Sequence, residues 1–378
     1  MFAGKRIIVV IHNLMLGGAE RQALLLARYL LHDQHAHVQI WALSPAPGRV
    51  APLCEAEGIP WRIVPMTWPA NQIMRYKAWV KFAWTLRQAQ PDIILSYAMR
   101  ANVVCGLIWR LTGARLCIWG QRDEGRSANV GRPFQQWAAR QVPYFISNSQ
   151  HGKDFLIQTL GVKPDKIRVI DNGVELAQPK ADRAWWRNQL GVGEDCVLAC
   201  MVARLHRMKD HATLLRAWRQ VIDRLGETGP PAVLLLAGRF ADTYESLQEL
   251  VQELELGQTV RFLGEVEDIS GLLGAIDLGV FSSRYEGVPN GVLECMAAGL
   301  AVAGTASPGI CEAVGPDGYP FLAPPGDAET LADRTLRLIL NPVLRAEVAA
   351  KNRHRIEMVF SPQRMCEETS GIIKHGLE

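Results

Sequence analysis

Short apolar runs alternate with helical patterns from one end of the chain to the other. In the first half the runs are residues 6–11, 37–43, 93–96, 116–119, 144–147 and 167–170. Helical periodicity covers 20–30, 73–88 and 134–140 among the segments between them. In the second half the runs are 197–202, 233–237, 260–263, 278–281 and 301–303, with helices over 209–225, 244–256, 291–298 and 329–340. Unbroken rather than alternating apolar strands belong to parallel sheets covered on both faces. Two such series in succession predict an α/β chain of two Rossmann-like domains. At 378 residues the chain also exceeds what one hydrophobic core usually organises.

The expected divisions are a domain over 1–171, a linker over 172–190, a second domain over 191–358, and a last helix over 359–378 that packs back on the first domain. The linker reading rests on the mixture of turn residues and charge in DNGVELAQPKADRAWW, and Pro362 is the expected break before the last helix.

Bulk composition narrows the class a little. Hydrophobic residues make up 48% and charged residues 21%, as in ordinary globular proteins. No apolar run approaches the roughly 18 residues of a membrane span. The opening MFAGKRIIVVIHN holds only a strand-length apolar run without a cleavage pattern, so the expected location is the cytoplasm, with contact at the inner membrane face as a further expectation. The eight cysteines are scattered through mostly apolar surroundings, without paired CxxC motifs or a His/Cys cluster. They read as reduced core thiols, and no metal site is expected.

Charge is unevenly spread. Residues 1–171 hold 21 Lys and Arg against 10 Asp and Glu, a net of +11, so the rest carries −8 of the chain's total of +3. A basic first half suits an anionic partner: a phospholipid surface, a lipid-diphosphate acceptor or an acidic glycan. A merely solvated basic surface is the plain alternative. No nucleic-acid module is evident, and no nucleic-acid partner is expected.

Candidate chemistry centres on 282–296, SSRYEGVPNGVLECM, where Glu286 and Glu294 lie eight residues apart across a turn-rich loop and a helix start. A helix N-terminus offers unpaired N–H groups and a positive dipole end to a phosphate. Carboxylates beside it would accept hydrogen bonds from sugar hydroxyls. Arg204 and Lys209 follow the strand that opens the second half, in ARLHRMKDH. A guanidinium fork and an ammonium point charge together suit a diphosphate. Gly17 and Gly18, in LGGAER before the first helix, would let backbone approach a ligand closely. Taken singly, each of these could equally be a helix cap, surface basicity or a plain loop.

Together, and in this order, the motifs resemble the retaining glycosyltransferases of family 4, which have the GT-B fold. The matching elements are GGAE at 17–20, NGV at 172–174, Arg204 with Lys209, Gly238, FLG at 262–264, the E-x7-E pair Glu286 and Glu294, and PGD at 325–327. The resemblance implies two facing Rossmann-like domains with an interdomain cleft. It implies transfer of a hexosyl group from a nucleotide sugar, UDP-linked on family frequency, to an acceptor hydroxyl with retained configuration. No cofactor or metal would be needed, because Arg204, Lys209 and a helix N-terminus meet the leaving-group charge. Glu294 would hold the ribose and Glu286 the transferred sugar. Backbone N–H groups around Gly291, Val292 and Leu293, with Gly287 and Asn290 beside them, would meet the distal phosphate. Gly17 and Gly18 would close over the diphosphate, and Val266, just past Gly264, would contact the base. The acceptor would be lipid-linked or a glycan, in bacterial cell-surface polysaccharide or glycolipid synthesis. A nucleotide-sugar epimerase of the same fold, or transfer to a soluble small acceptor, are the alternatives.

Two stretches depart from the family pattern or stand outside it. Many relatives carry a histidine in the first domain near the donor sugar, whereas this chain has none between His37 and His151. Arg122 and Asp123, just past the run at 116–119, are expected to take over part of that work, with Asp123 near sugar or acceptor and Arg122 near phosphate; a loop salt bridge is the plain alternative. The other stretch, 67–88, combines five aromatics with Arg75, Lys77, Lys81 and Arg87. Its favoured reading is a helix that covers the first sheet with a basic edge in water. Membrane contact is the second.

Overall fold

The computed structural model describes residues 2–45, 48–69, 71–122 and 130–378. Asp123 lies outside them. Chain contacts divide the molecule into two compact units: unit 1 is Met1–Gly173 with Pro362–Glu378, and unit 2 is Val174–Ser361.

Unit 1 holds β1 (Arg6–Ile11), β2 (His37–Ala42), β3 (Trp61–Ile63), β4 (Ile93–Tyr97), β5 (Leu116–Gln121), β6 (Tyr144–Ser147) and β7 (Ile167–Val169). They form one parallel sheet in the order β3-β2-β1-β4-β5-β6-β7. Unit 2 holds β8 (Val197–Val202), β9 (Ala232–Ala237), β10 (Val260–Gly264), β11 (Leu278–Phe281), β12 (Ala301–Thr305) and β13 (Leu322–Ala323). These are parallel in the order β10-β9-β8-β11-β12-β13. The central strands β4, β5, β9, β11 and β12 are buried along their whole length. That is why they read as continuous apolar runs. β3 and β13, only three and two residues long, are edge strands too short to show as runs.

Each sheet is covered on both faces. In unit 1 one face packs under the helix Gly18–His32 and the last helix, Pro362–Leu377, which contributes Met365, Cys366 and Ile373 to the core. Burying a large aliphatic side chain is worth about 1.5–3 kcal/mol. The opposite face packs under the helices Gln72–Gln88, Met99–Thr112 and Arg132–Gln141 through Trp79, Phe82, Leu86, Val104, Ile108 and Ala138.

The chain leaves unit 1 at Gly173 and returns at Pro362. Gln22, buried, clamps this point by donating to the Gly173 carbonyl at 2.7 Å and accepting from its N–H at 2.9 Å. A Cβ on Gly173 would lie 2.7 Å from the Pro362 Cα, so close chain crossing requires glycine there. Residues 183–189, in the segment expected as a linker, form a helix whose Asp182 side chain caps Trp185 N–H. Arg183 and Arg187 of that helix pair with Asp277 of unit 2. Among the described residues no disulfide links the eight cysteines, and seven of them are buried.

Candidate functional site

In each sheet the chain fills one side and then the other, so the strand order reverses between β1 and β4 and between β8 and β11. Ligands of open α/β sheets bind beyond the carboxyl ends of strands at such a reversal. In unit 2 the residues past β8 and β11 include Arg204, Lys209, Glu286 and the helix Asn290–Ala297. Three of the expected donor residues and the start of that helix therefore lie at the carboxyl end of one sheet, within a single unit.

Local packing holds them there. Ser282 Oγ, directly after β11, donates between the carbonyls of Lys209 (3.0 Å) and Asp210 (2.9 Å). Arg284 N–H donates to the Met208 carbonyl, and its guanidinium pairs with Asp210 at 2.8 Å. Asp210 sits in the left-handed region at φ 50° and accepts from Thr213 Oγ1, fixing the turn that carries Lys209 into the following helix. Lys209 Nζ pairs with Glu286 Oε1. The other Glu286 oxygen is buried with no hydrogen-bond partner among the described residues, as are the hydroxyls of Ser283 and Ser307. Buried polar atoms are normally satisfied, so this group of oxygens is suited to a polar ligand. Burial first, and then the Arg204 charge, push the Lys209 ammonium down to about 7; the Glu286 carboxylate pulls the other way.

The helix Asn290–Ala297 is seated by glycine. A Cβ on Gly291 would lie 2.1 Å from the Val202 carbonyl oxygen, at the end of β8. Gly238, after β9, is tied in the same manner, 2.0 Å from the Ala203 carbonyl. These two glycines press the β8 loop between the ends of β9 and the helix, and their first role is packing. The N–H groups of Val292 and Leu293 bond the Pro289 carbonyl at 3.1 and 3.2 Å. These two N–H groups, of the three expected around the distal phosphate, are thus engaged within the first turn of the helix. Glu294 is buried at 4% exposure. Gly287 sits in the loop before this helix, its carbonyl lying where a Cβ on Gly309 would need to be. Val266 lines a groove with Lys180, Trp185, Trp186 and Leu263, on the outer side of β10.

Several contributors escaped the sequence reading. Ser282 and Ser283 carried a signal, two hydroxyls directly after a buried strand. Phe240 carried a weaker one: it follows AGR past β9, stacks on Tyr244 at 3.9 Å, stays half exposed and lies over Gly264. His211 gave none. It is buried, with neither ring nitrogen bonded among the described residues, and burial, then the Lys209 charge, push it down to about 3.

His211 leads to a pH prediction. The unfolded chain takes up a proton near 6.5 while the folded chain stays neutral to about 3. Folding stability is therefore full above pH 6.5 and falls as pH drops through the interval below it, by about 1.4 kcal/mol per pH unit from this group. Urea unfolding at pH 7.5 and pH 5 should show that loss, and His211→Asn should flatten it. Equal slopes in both proteins would refute it.

In unit 1 the reversal between β1 and β4 is bordered by Gly17 and Gly18, which open the helix Gly18–His32, and by Ala98, which precedes Met99–Thr112. Gly17 caps its helix with no side-chain bond, and burial raises Glu20, which accepts from the Gly17 N–H, to about 7. Ala98 stands at φ 69°, a costly conformation for alanine, and strain of this kind concentrates at functional sites. Arg100, two residues on, lowers the pKa of His12, which burial lowers more. Arg122 lies over the Tyr97 ring at 4.7 Å and donates to Asn172 Oδ1 at 3.0 Å, tying the end of β5 to the exit segment of unit 1.

Comparisons with known proteins agree with this layout. Residues 197–341 match the family model described as glycosyl transferases group 1, and residues 16–178 match that of glycosyltransferase family 4. The chain belongs to the family 4, group 1 glycosyltransferases and has the GT-B fold. The structure of Anabaena HepE in complex with UDP and glucose superposes at a TM-score of 0.84 with 22% identity, covering 98% of this chain and 100% of that one. The lipopolysaccharide-biosynthesis glycosyltransferase WaaG superposes at 0.69 with 15% identity, covering 96% and 98%. Among curated relatives, the D-inositol 3-phosphate glycosyltransferase of Saccharomonospora viridis is 26% identical over 68% of this chain and 61% of its own length. The UDP-Gal:alpha-D-GlcNAc-diphosphoundecaprenol alpha-1,3-galactosyltransferase of Escherichia coli is 24% identical over 57% and 58%. These matches thus span about 60% of the relatives' length.

Proposed function

We propose that the protein is a retaining glycosyltransferase that moves a hexosyl group from a UDP-sugar to a hydroxyl of a lipid-linked or glycan acceptor, in bacterial surface polysaccharide or glycolipid synthesis at the inner face of the cytoplasmic membrane. The observation that carries it is the carboxyl end of β8 and β11, where Arg204, Lys209, a half-buried Glu286 with one carboxylate oxygen unbonded among the described residues, and a helix N-terminus meet. Arg204 and Lys209 take the diphosphate, and the backbone at the start of the helix, around Gly291, takes its distal phosphate. Glu286 accepts from hydroxyls of the transferred sugar and Glu294 from the ribose. The leaving diphosphate gains charge as the glycosidic bond breaks, and fixed cations stabilise that state more than the ground state. The departing phosphate oxygen takes the acceptor's proton on the face it leaves, which retains configuration. These groups supply the required charge without a metal. Of the unit 1 pair, Asp123 serves the sugar or acceptor and Arg122 the phosphate. HepE's UDP complexes support the choice of carrier; the basic first half, and one relative whose name specifies a diphosphoundecaprenol, support the acceptor class.

Thermal shift with a panel of nucleotide sugars, then product analysis with the stabilising donor, tests the reading. A UDP-sugar should raise the melting temperature, transfer should survive a chelator, and NMR should show the donor's anomeric configuration in the product. An inverted product, or dependence on divalent cation, would overturn those parts. An epimerised donor without acceptor would favour the isomerase alternative.

A further inference from the structure

The helices Gln72–Gln88, Met99–Thr112 and Arg132–Gln141 lie together on one face of the unit 1 sheet and carry no Asp or Glu at all. Their exposed cations are Lys77, Lys81, Arg87, Arg110, Arg132 and Arg140. Solvated helices ordinarily mix charge signs and use pairs one turn apart.

The first of these helices is also apolar on both sides. Trp79, Phe82, Ala83 and Leu86 face the core. Ile73, Tyr76, Lys77, Val80, Lys81 and Trp84, spaced for one helical face, line a shallow depression on the outside. Ile73, Val80 and Trp84 are 67%, 63% and 61% exposed. A helix that is hydrophobic all round is normally buried. The outward edge expected to be basic and wet is instead an apolar stripe set among cations. Leu111 and Trp137, on the two neighbouring helices, are exposed as well.

We propose that this face of unit 1 docks on an anionic lipid bilayer, with Ile73, Tyr76, Val80 and Trp84 at the headgroup–acyl boundary and Lys77, Lys81, Arg87, Arg110 and Arg140 on the lipid phosphates. Charge complementarity selects the occupant. Protein interface cores are depleted in lysine, whereas Lys77 and Lys81 stand within the apolar stripe. In a bilayer their hydrocarbon stems lie along the apolar layer while the ammonium groups reach the phosphates. Tyrosine and tryptophan concentrate at this depth. Among the described residues no helix is long and apolar enough to cross a membrane, so the geometry is that of a face lying on the surface. The inference does not depend on the donor chemistry of unit 2.

Co-sedimentation of the full chain with phosphatidylcholine vesicles, with and without about one third phosphatidylglycerol, tests it. Binding is expected to the anionic vesicles alone, weakening steeply between low salt and about 0.5 M. The double variant Val80→Glu/Trp84→Glu should bind at least about tenfold more weakly. Lys77→Gln/Lys81→Gln should lose about fivefold per charge and some of the salt dependence. All four positions are exposed, so the variants should keep the wild-type melting temperature and UDP affinity. No sedimentation with anionic vesicles at low salt, or undiminished binding by the glutamate variant, would overturn the proposal. So would a solution dimer that the glutamate variant dissociates, since a second copy would then cover the face.

Discussion

Replacement of Lys209 by alanine should lower kcat/KM for the nucleotide sugar by about a thousandfold, about 4 kcal/mol of transition-state stabilisation. Lys209 is half buried beside Glu286, in a turn held by Ser282, Asp210 and Arg284. Its ammonium is thus fixed in place before substrate arrives, and catalysis loses little to reorganisation. Arg204 is exposed, so Arg204→Ala should cost less, about one hundredfold. A second readout separates charge from structure. With burial and Arg204 holding Lys209 near 7, a bound diphosphate should raise it again. Binding of UDP above pH 7 should then take up a proton, visible by calorimetry in buffers of different ionisation enthalpy. Lys209→Ala should lack that uptake. A loss under tenfold in kcat/KM would remove Lys209 from the diphosphate site.

Glu286→Gln should lower kcat by about one hundredfold while changing UDP affinity by less than about threefold. The substitution keeps the shape, removes the charge that pairs with Lys209, and turns one of the two acceptor oxygens offered to hydroxyls into an NH2 donor. UDP has no transferred sugar, so its affinity should hardly register the change. Glu294→Gln should do the reverse, weakening UDP about tenfold because the ribose is common to donor and product. Titration of UDP and of an unreactive UDP-sugar into both variants distinguishes them. Equal losses in the two would mean that the carboxylates do not read opposite ends of one donor.

Much of this was readable along the chain. Continuous apolar strands announced parallel sheets because both faces of β4, β9 and β11 are covered. Glu286 and Glu294, with Arg204 and Lys209, could be picked out because each pair is local, set by one loop and one helix start. Gly238 and Gly291 were legible as glycines, but their reason was not. Only the packed loop shows the Ala203 and Val202 carbonyls that exclude a Cβ. Ala98 and His211 were invisible, since neither residue type signals a left-handed backbone or an unbonded buried ring.

By itself the sequence determined the α/β class, most of the strands, and the residue types gathered after β8 and β11, because these follow from periodicity and short-range spacing. Tertiary structure alone decided that the order of strands reverses between β8 and β11, which joins residues some eighty positions apart at one edge. It alone turned the outer side of Gln72–Gln88 into an open apolar stripe, because which side of a helix is covered depends on neighbours that are distant in sequence. Spacing along a chain fixes what can share a face, and only packing determines which face meets water.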